Sequence, residues 1–338
     1  NIAIMKRFLL IPLLLLSVVV SQQKKTDEPN PMKGVKALTK LEYNYEEKFG
    51  EFKGILKKKA IYKYDSNGNK VEESRHDSDG LLTYKTISRY DSYGNLIRFY
   101  RYDTDGSLDK ETIYKYDSNG NNVEESHYDS KGNLYEGLYS WDSGKTILKY
   151  DSNGNNVERL TYDSGGSLTY KSISRYDSNG NNVESSRYDS DGSLTYKSIS
   201  RHDSNGNPVE IIKYLSDGSL DNKFMLKWNS DGNIIEQSKF DSDGILMWKE
   251  TKKYDSNSKD IERIRIGMFN FKSISKFNSD GHQVENSGYY LDGTQYLKTI
   301  YNRDANNRII EEIKYDFESK FGELQKIPSS KTTYDYVE

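Results

Sequence analysis

The chain has 338 residues, with 49 Lys and Arg against 52 Asp and Glu, a net charge of −3 and no cysteine. Mild acidity spread along the whole length argues against a nucleic-acid partner, and the missing cysteines exclude disulfides and thiolate metal sites. Only 34% of residues are hydrophobic and 29 are tyrosine, so a deep aliphatic core in proportion to the length is excluded as well.

Residues 1–21 read as a signal peptide starting at Met5: Lys6-Arg7, the apolar run Phe8 to Val20, and Val19-Val20-Ser21 as a small-residue cleavage site. The run of 13 residues is short for a membrane span, and no cysteine follows it to take a lipid. The expectation is a product that is secreted, at the cell surface or periplasmic, with no transmembrane span once the segment is removed. Residues 22–34, with Pro29 and Pro31, read as a linker.

Residues 35–338 read as one repeat domain. Its unit is clearest from Tyr176 to Arg201, YDSNGNNVESSRYDSDGSLTYKSISR, 26 residues that start again at His202. Turn glycines at 68, 80, 94, 106 and 120, and again from 154 to 244, step alternately by 12 and 14. Ser258 and Asn307 stand where a glycine is due. The first and last units share a hairpin seven residues longer, with Tyr43 and Tyr315 each followed by a motif tyrosine 21 residues on, and read as matched caps. Two units break length: that from Gly120 to Gly154 is eight residues too long, and that from Ser258 to Gly281 three too short.

Each unit holds two turn signals, Asn179-Gly180 and Asp191-Gly192, between runs rich in Tyr, Thr, Ser, Ile and Val, which is how consecutive β-hairpins are written. The run Leu194 to His202 alternates, with Leu194 and Tyr196 on one face and Lys197, Ile199 and Arg201 on the other. A two-residue turn at Asn179-Gly180 sets Tyr176 opposite Val183 and Arg175 opposite Glu184. A three-residue loop at Gly192 sets Tyr188 opposite Leu194, and the two together require a bulge between Val183 and Tyr188. Three-residue loops at both turns, without a bulge, are the alternative.

Two strands per unit give roughly 20 strands, more than an open twisted sheet carries without curling. The fold expected is all-β: an antiparallel hairpin-repeat array in an elongated, single-layer or spirally curled open sheet. Lys57-Lys58-Lys59 and Pro328 are expected to guard its edges.

Little here suggests catalysis. The Asp-Ser-Asp-Gly loops lack the remaining ligands of a calcium loop, and Asp, Asn and Gly are ordinary turn residues. His76 and His202 stand at motif tyrosine positions, His127 replaces a strand arginine, and His282 follows a turn. No pair has metal-ligand spacing, and no Ser or Asp departs from its repeat copies as a nucleophile would. The expectation is no enzyme, no metal and no cofactor. The repetitive tyrosines with Trp141, Trp228 and Trp248 are suited to packing the sheet and to stacking on sugars. Tyr135, Tyr139 and Trp141, in the eight-residue insertion, are the candidate ligand-binding residues, facing a polysaccharide or cell-envelope component.

The recurring Tyr-x-Tyr-Asp-x-x-Gly-Asn of Tyr62 to Asn69, and Arg175 to Asn181, resemble the YD repeat of the Rhs, wall-associated and teneurin-like proteins, from about Tyr43 to Tyr336. That resemblance implies a secreted or surface β-sheet repeat, in some relatives a shell around a toxin and in some a carbohydrate-binding surface. The chain departs from it in being short for a large shell, in showing no separate toxin region, and in pairing two unequal hairpins. A looser resemblance, to small bacterial repeat proteins grouped with MORN-like antitoxins, is opposed by the signal segment. The function expected is an exported, non-enzymatic repeat protein that presents a tyrosine-rich sheet for glycan or cell-surface binding; a spacer or adhesin stalk, or a toxin-associated component, are the alternatives.

Overall fold

The computed structural model describes residues 32–49, 51–135, 144–267, 270–320 and 323–337. The signal segment and most of the linker lie outside them. Among the described residues the chain forms twenty-two strands and no helix. The first cap hairpin is β1 (Ala37–Lys48) and β2 (Glu51–Tyr64); the last is β21 (Ile309–Lys320) and β22 (Glu323–Val337). Between them run β3 (Lys70–Asp77), β4 (Leu82–Tyr90), β5 (Leu96–Tyr102), β6 (Leu108–Tyr116), β7 (Asn122–Asp129), β8 (Lys145–Tyr150), β9 (Asn156–Tyr162) and β10 (Leu168–Tyr176). The second half holds β11 (Asn182–Tyr188), β12 (Leu194–His202), β13 (Pro208–Leu215), β14 (Leu220–Trp228) and β15 (Ile234–Phe240). β16 (Leu246–Tyr254), β17 (Asp260–Gly267), β18 (Phe271–Phe277), β19 (Gln283–Tyr289) and β20 (Gln295–Arg303) complete it.

Every strand pairs antiparallel with the next, and β1 also pairs with β22, from Ala37 opposite Val337 to Asn44 opposite Ser330. The sheet therefore closes into a 22-stranded barrel, about 105 Å around at the usual strand spacing. The open sheet expected from the sequence is wrong. Strand counting set the size, but only the pairing of the two caps decides between an open and a closed sheet. Closure also removes the edges that Lys57-Lys58-Lys59 and Pro328 were expected to guard, since β2 lies between β1 and β3. Pro328 instead falls just past the last β1–β22 pair, opposite Tyr315, where its missing N–H costs β1 nothing.

The barrel has almost no aliphatic core. Among the described residues, the buried hydrophobic side chains are Val35 and Leu38, both at the closure seam, where Leu38 lies opposite Tyr62 and Tyr336. The rest of the buried set is polar and includes Thr86, Thr112, Thr146, Thr161 and Thr299. Small β-branched hydroxyl residues suit this position, because the pleat packs them between long neighbours and they can bond across strands. Thr146 and Thr161 place their hydroxyls 3.3 Å apart.

Both turns of a unit are three-residue loops. The Asp177 N–H donates to Asn181 O and the Gly180 N–H to Asp177 O, with Gly180 at φ 82°; Asp189, Ser193 and Gly192 repeat this at the second turn. In the first turn the carboxylate completes the loop: Asp177 Oδ1 accepts the N–H groups of Asn179 and Asn181, and Oδ2 accepts the Asn181 amide. Those bonds, the Asn181 side chain first, hold the Asp177 carboxyl below its usual range. The Asp-x-x-Gly-Asn motif is thus a turn that satisfies itself.

Register follows from the turns. Arg175 lies opposite Glu184 and Tyr188 opposite Leu194, as expected. Tyr176, however, faces Asn182 rather than Val183, and the register shifts directly after each turn, at Val183 and Thr195, instead of within the short strand. Neither sequence reading placed it there. A loop whose last residue is left-handed adds its extra residue at the start of the following strand.

Ser258 at φ 59° and Asn307 at φ 62° occupy the glycine position, as their places in the rhythm require. Gly180→Ala is expected to lower stability by about 1 kcal/mol, and Ser258→Gly to raise it by a similar amount. Urea unfolding midpoints with unchanged slopes would show both; an unchanged Gly180→Ala midpoint would contradict the left-handed turn.

Candidate ligand-binding face

Alternation divides the sheet into two faces. One carries a charge ladder in which a glutamate of a short strand sits between basic residues of both flanking long strands. Glu158 meets Lys149 at 2.5 Å and Lys171 at 3.1 Å, Glu236 meets Lys227 and Lys249 at 2.9 and 2.7 Å, and Glu262 meets Lys253 and Lys272 at 2.6 and 2.7 Å. Hydrogen bonds from those lysines hold all three carboxyls below their usual range. The outer lysines are well exposed, so each pair contributes little net stability; the repetition instead disfavours a slipped register, which would set like charges opposite.

The other face carries the motif tyrosines, and their hydroxyls have a specific task. Pairing of β9 with β10 ends at Glu158 opposite Ile173, which leaves the Asn156 carbonyl beyond the ladder on that side. The Tyr176 hydroxyl donates to it at 3.0 Å. Tyr90, Tyr116, Tyr150, Tyr254 and Tyr336 make the same bond to Lys70, Leu96, Asn122, Ile234 and Ile309. Where the tyrosine is replaced, the donor survives: Trp228 Nε1 reaches Pro208 O at 2.8 Å and Arg303 Nη2 reaches Gln283 O at 3.1 Å. His202 and Phe277 are exceptions in kind, since phenylalanine has no donor and the His202 Nδ1 is buried without a partner. Sequence reading took these tyrosines as packing and missed the staple; the one visible signal was that Trp and Arg, both donors, replace them.

On this same face, cations and aromatic rings alternate from strand to strand. Arg187 on β11 lies 5.0 Å from the Tyr196 ring on β12, and Lys213 on β13 lies 5.9 Å from Tyr196 and 5.1 Å from Phe224 on β14. Lys239 on β15 lies 5.7 Å from Phe224, which packs edge-on to Trp248 of β16 at 6.3 Å. Arg265 on β17 then covers Trp248 at 4.5 Å and Phe271 of β18 at 5.6 Å. Burial, with the neighbouring Lys239 adding to it, holds the Lys213 ammonium below its usual range. The cations at 187, 213, 239 and 265 recur at the 26-residue period, so this pattern is visible in the sequence itself.

Glu250 ends the ribbon. It stands in the buried threonine tier, 2% exposed, where a lone carboxylate would be costly. Arg265 Nη2 at 2.9 Å and Gln237 Nε2 at 3.0 Å bond it, with Arg263 and Lys252 just beyond at 3.7 and 3.8 Å.

Of the three candidate residues from the sequence, Tyr139 and Trp141 lie outside the described residues. Tyr135 is half-buried; its N–H donates to His127 O and its carbonyl accepts from Gly144 N–H, so the insertion begins as strand-like backbone beside β7. The Lys110 ammonium lies 5.0 Å from the Tyr135 ring, the same contact as in the ribbon. His127 is buried with Nδ1 3.0 Å from Thr112 Oγ1.

No family model matches the chain, and no curated protein does. Among solved structures, TcdB2-TccC3 is 12% identical with a TM-score of 0.30, covering 81% of this chain and 18% of its own. A porin-like protein from Bacteroides uniformis is 9% identical with a TM-score of 0.31, covering 91% and 99%. The Photorhabdus luminescens Tc holotoxin pore is 9% identical with a TM-score of 0.19, covering 85% and 25%. The chain thus spans less than a fifth of TcdB2-TccC3 and a quarter of the holotoxin chain, and nothing about function follows from likeness at these scores.

Two pH limits follow from the faces. The ladder carboxyls titrate lower folded than unfolded, so their stabilisation is complete above about pH 4.3 and is lost as pH falls through the folded values. Burial, with neighbouring carboxylates, raises the Tyr116 phenol, and burial first raises that of Tyr254. The unfolded chain therefore ionises first, and stability falls as pH rises beyond about 10. Urea midpoints from pH 3 to 11 should show a plateau with both limbs, and a midpoint unchanged at pH 3 would contradict the ladder. Tyr176→Phe should cost about 1 kcal/mol by leaving the Asn156 carbonyl without its donor.

Proposed function

We propose that this is an exported, non-enzymatic repeat protein whose tyrosine face binds a glycan of a cell surface or envelope. The cation–aromatic alternation across β11 to β18 carries the reading: half-buried rings on a rigid sheet offer flat apolar surface, and the cations beside them offer hydrogen-bond donors. Rigidity matters, because a sheet fixed by its own turns, ladder and staples loses little freedom on binding. The turn carboxylates, the ladder glutamates and the stapling hydroxyls are all occupied in holding the sheet, which supports a binding surface rather than a reacting one. Export rests on the signal-like segment at residues 1–21, and the YD-type repeat is in keeping with it.

Both faces bear charge along the strands, unlike the apolar outer band of a membrane barrel. Tyr135 under Lys110 extends the ribbon's pattern to the insertion, and the reading includes Tyr139 and Trp141 there.

A glycan array probed with the intact protein is expected to show saturable binding to at least one polysaccharide class. Phe224→Leu and Trp141→Ala should each weaken it by about tenfold, a loss equivalent to about 1.4 kcal/mol, with little change in the unfolding midpoint. Absence of binding across the array would leave the chain as a structural spacer.

A further inference from the structure

The ribbon differs from the opposite face in how its charges are answered. The lysines beside Glu158 and Glu236 in the ladder each meet a glutamate within salt-bridge distance. Arg187, Lys213 and Lys239 make no such pair among the described residues and meet aromatic rings instead. Asp221 is the carboxylate that acts on Lys213; it accepts from the Asn222 amide at 2.7 Å and keeps its charge, one negative group against three cations. At the far end Arg265 is neutralised by Glu250. Positive charge in excess of carboxylate therefore marks the stretch from β11 to β15.

Resting on the glycan reading above, we infer that the ligand of this face is an acidic polysaccharide of the uronate class, lying across the strands with its carboxylates against Arg187, Lys213 and Lys239. The three cations stand on every second strand, about 9 to 10 Å apart, close to the advance of two pyranose rings in an extended chain. An alternating acidic and neutral polymer can therefore meet one cation per disaccharide while its intervening ring lies on Tyr196 or Phe224. Lys213 and Lys239 are half-buried and Arg187 is exposed, and a half-buried cation that meets no carboxylate at salt-bridge distance gains more from an anionic partner than an exposed one does. The overall charge of −3 does not oppose this, because distant charges are screened beyond about 8 Å at physiological salt. A nucleic-acid strand carries its charges more densely than this spacing matches.

The test is calorimetric titration of the intact protein with hyaluronan oligosaccharides, neutral cellooligosaccharides and single-stranded oligothymidylate, at low and high salt. Hyaluronan is expected to bind best and to weaken as salt rises. The double variant Lys213→Gln, Lys239→Gln should lose at least about tenfold for hyaluronan while its unfolding midpoint and circular dichroism stay those of the parent chain. A lysine-to-arginine double variant should restore binding. Equal binding of the neutral sugar, or a glutamine variant that binds hyaluronan as well as the parent, overturns the acidic assignment and leaves the glycan reading standing. Preference for oligothymidylate overturns the polysaccharide class, and no binding to any probe, together with a blank glycan array, overturns both.

Discussion

Pairing of β1 with β22 is the contact on which the rest of the structure depends. A single-layer sheet with two buried aliphatic side chains among its described residues cannot rely on a core. It must instead satisfy its backbone groups within the sheet, and an open array leaves a row of unpaired N–H and C=O groups at each end. The long cap hairpins meet over eight residue pairs, from Ala37–Val337 to Asn44–Ser330, and so give each other the neighbour that every internal strand already has. Closure also turns a chain of nearest-neighbour contacts into a loop of them, so no unit is terminal and none frays first.

Within the barrel, turn geometry, register and the strand junctions are held by different groups. Turn geometry is local: the aspartate, the left-handed residue and the following asparagine complete one another. Register is defended by the glutamate ladder on one face, and on the other the start of a short strand is held by a donor from the end of the strand that follows it. The tyrosine staple explains why a phenol, an indole and a guanidinium interchange at one repeat position while the backbone around them does not change. Beside these devices, Arg187, Lys213 and Lys239 on β11, β13 and β15 meet aromatic rings rather than glutamates, and this is where the proposed ligand would lie.

Much of this was legible in the sequence because it is local. Glycine spacing located the turns, and with them the left-handed Ser258 and Asn307; Arg175 does lie opposite Glu184, but through a three-residue loop and a shift at Val183 rather than the two-residue turn expected. Three features were not. Closure depends on a contact between residues almost three hundred positions apart, about which neither cap says anything alone. The one bulge expected, between Val183 and Tyr188, stands instead directly after the turn at Val183, and the shift at Thr195 was not expected, because the left-handed residue of each turn resets the period-two pattern. The ribbon was hidden because tyrosine and lysine were each read within one strand, and their contact lies between strands offset by a turn. Of the three candidate residues in the insertion, Tyr135 is among the described residues, its ring 5.0 Å from the Lys110 ammonium.

Closure is the claim most open to a single measurement. The chain has no cysteine, so Thr39→Cys with Asp335→Cys gives two unique spin-label sites, on residues that face each other across the β1–β22 seam. Opposed residues of an antiparallel pair lie about 5 Å apart at Cα, and dipolar spectroscopy should report the strong short-range coupling of labels on adjacent strands. A separation on the order of 100 Å, the span of twenty-two strands laid side by side, would show an open sheet and contradict the barrel.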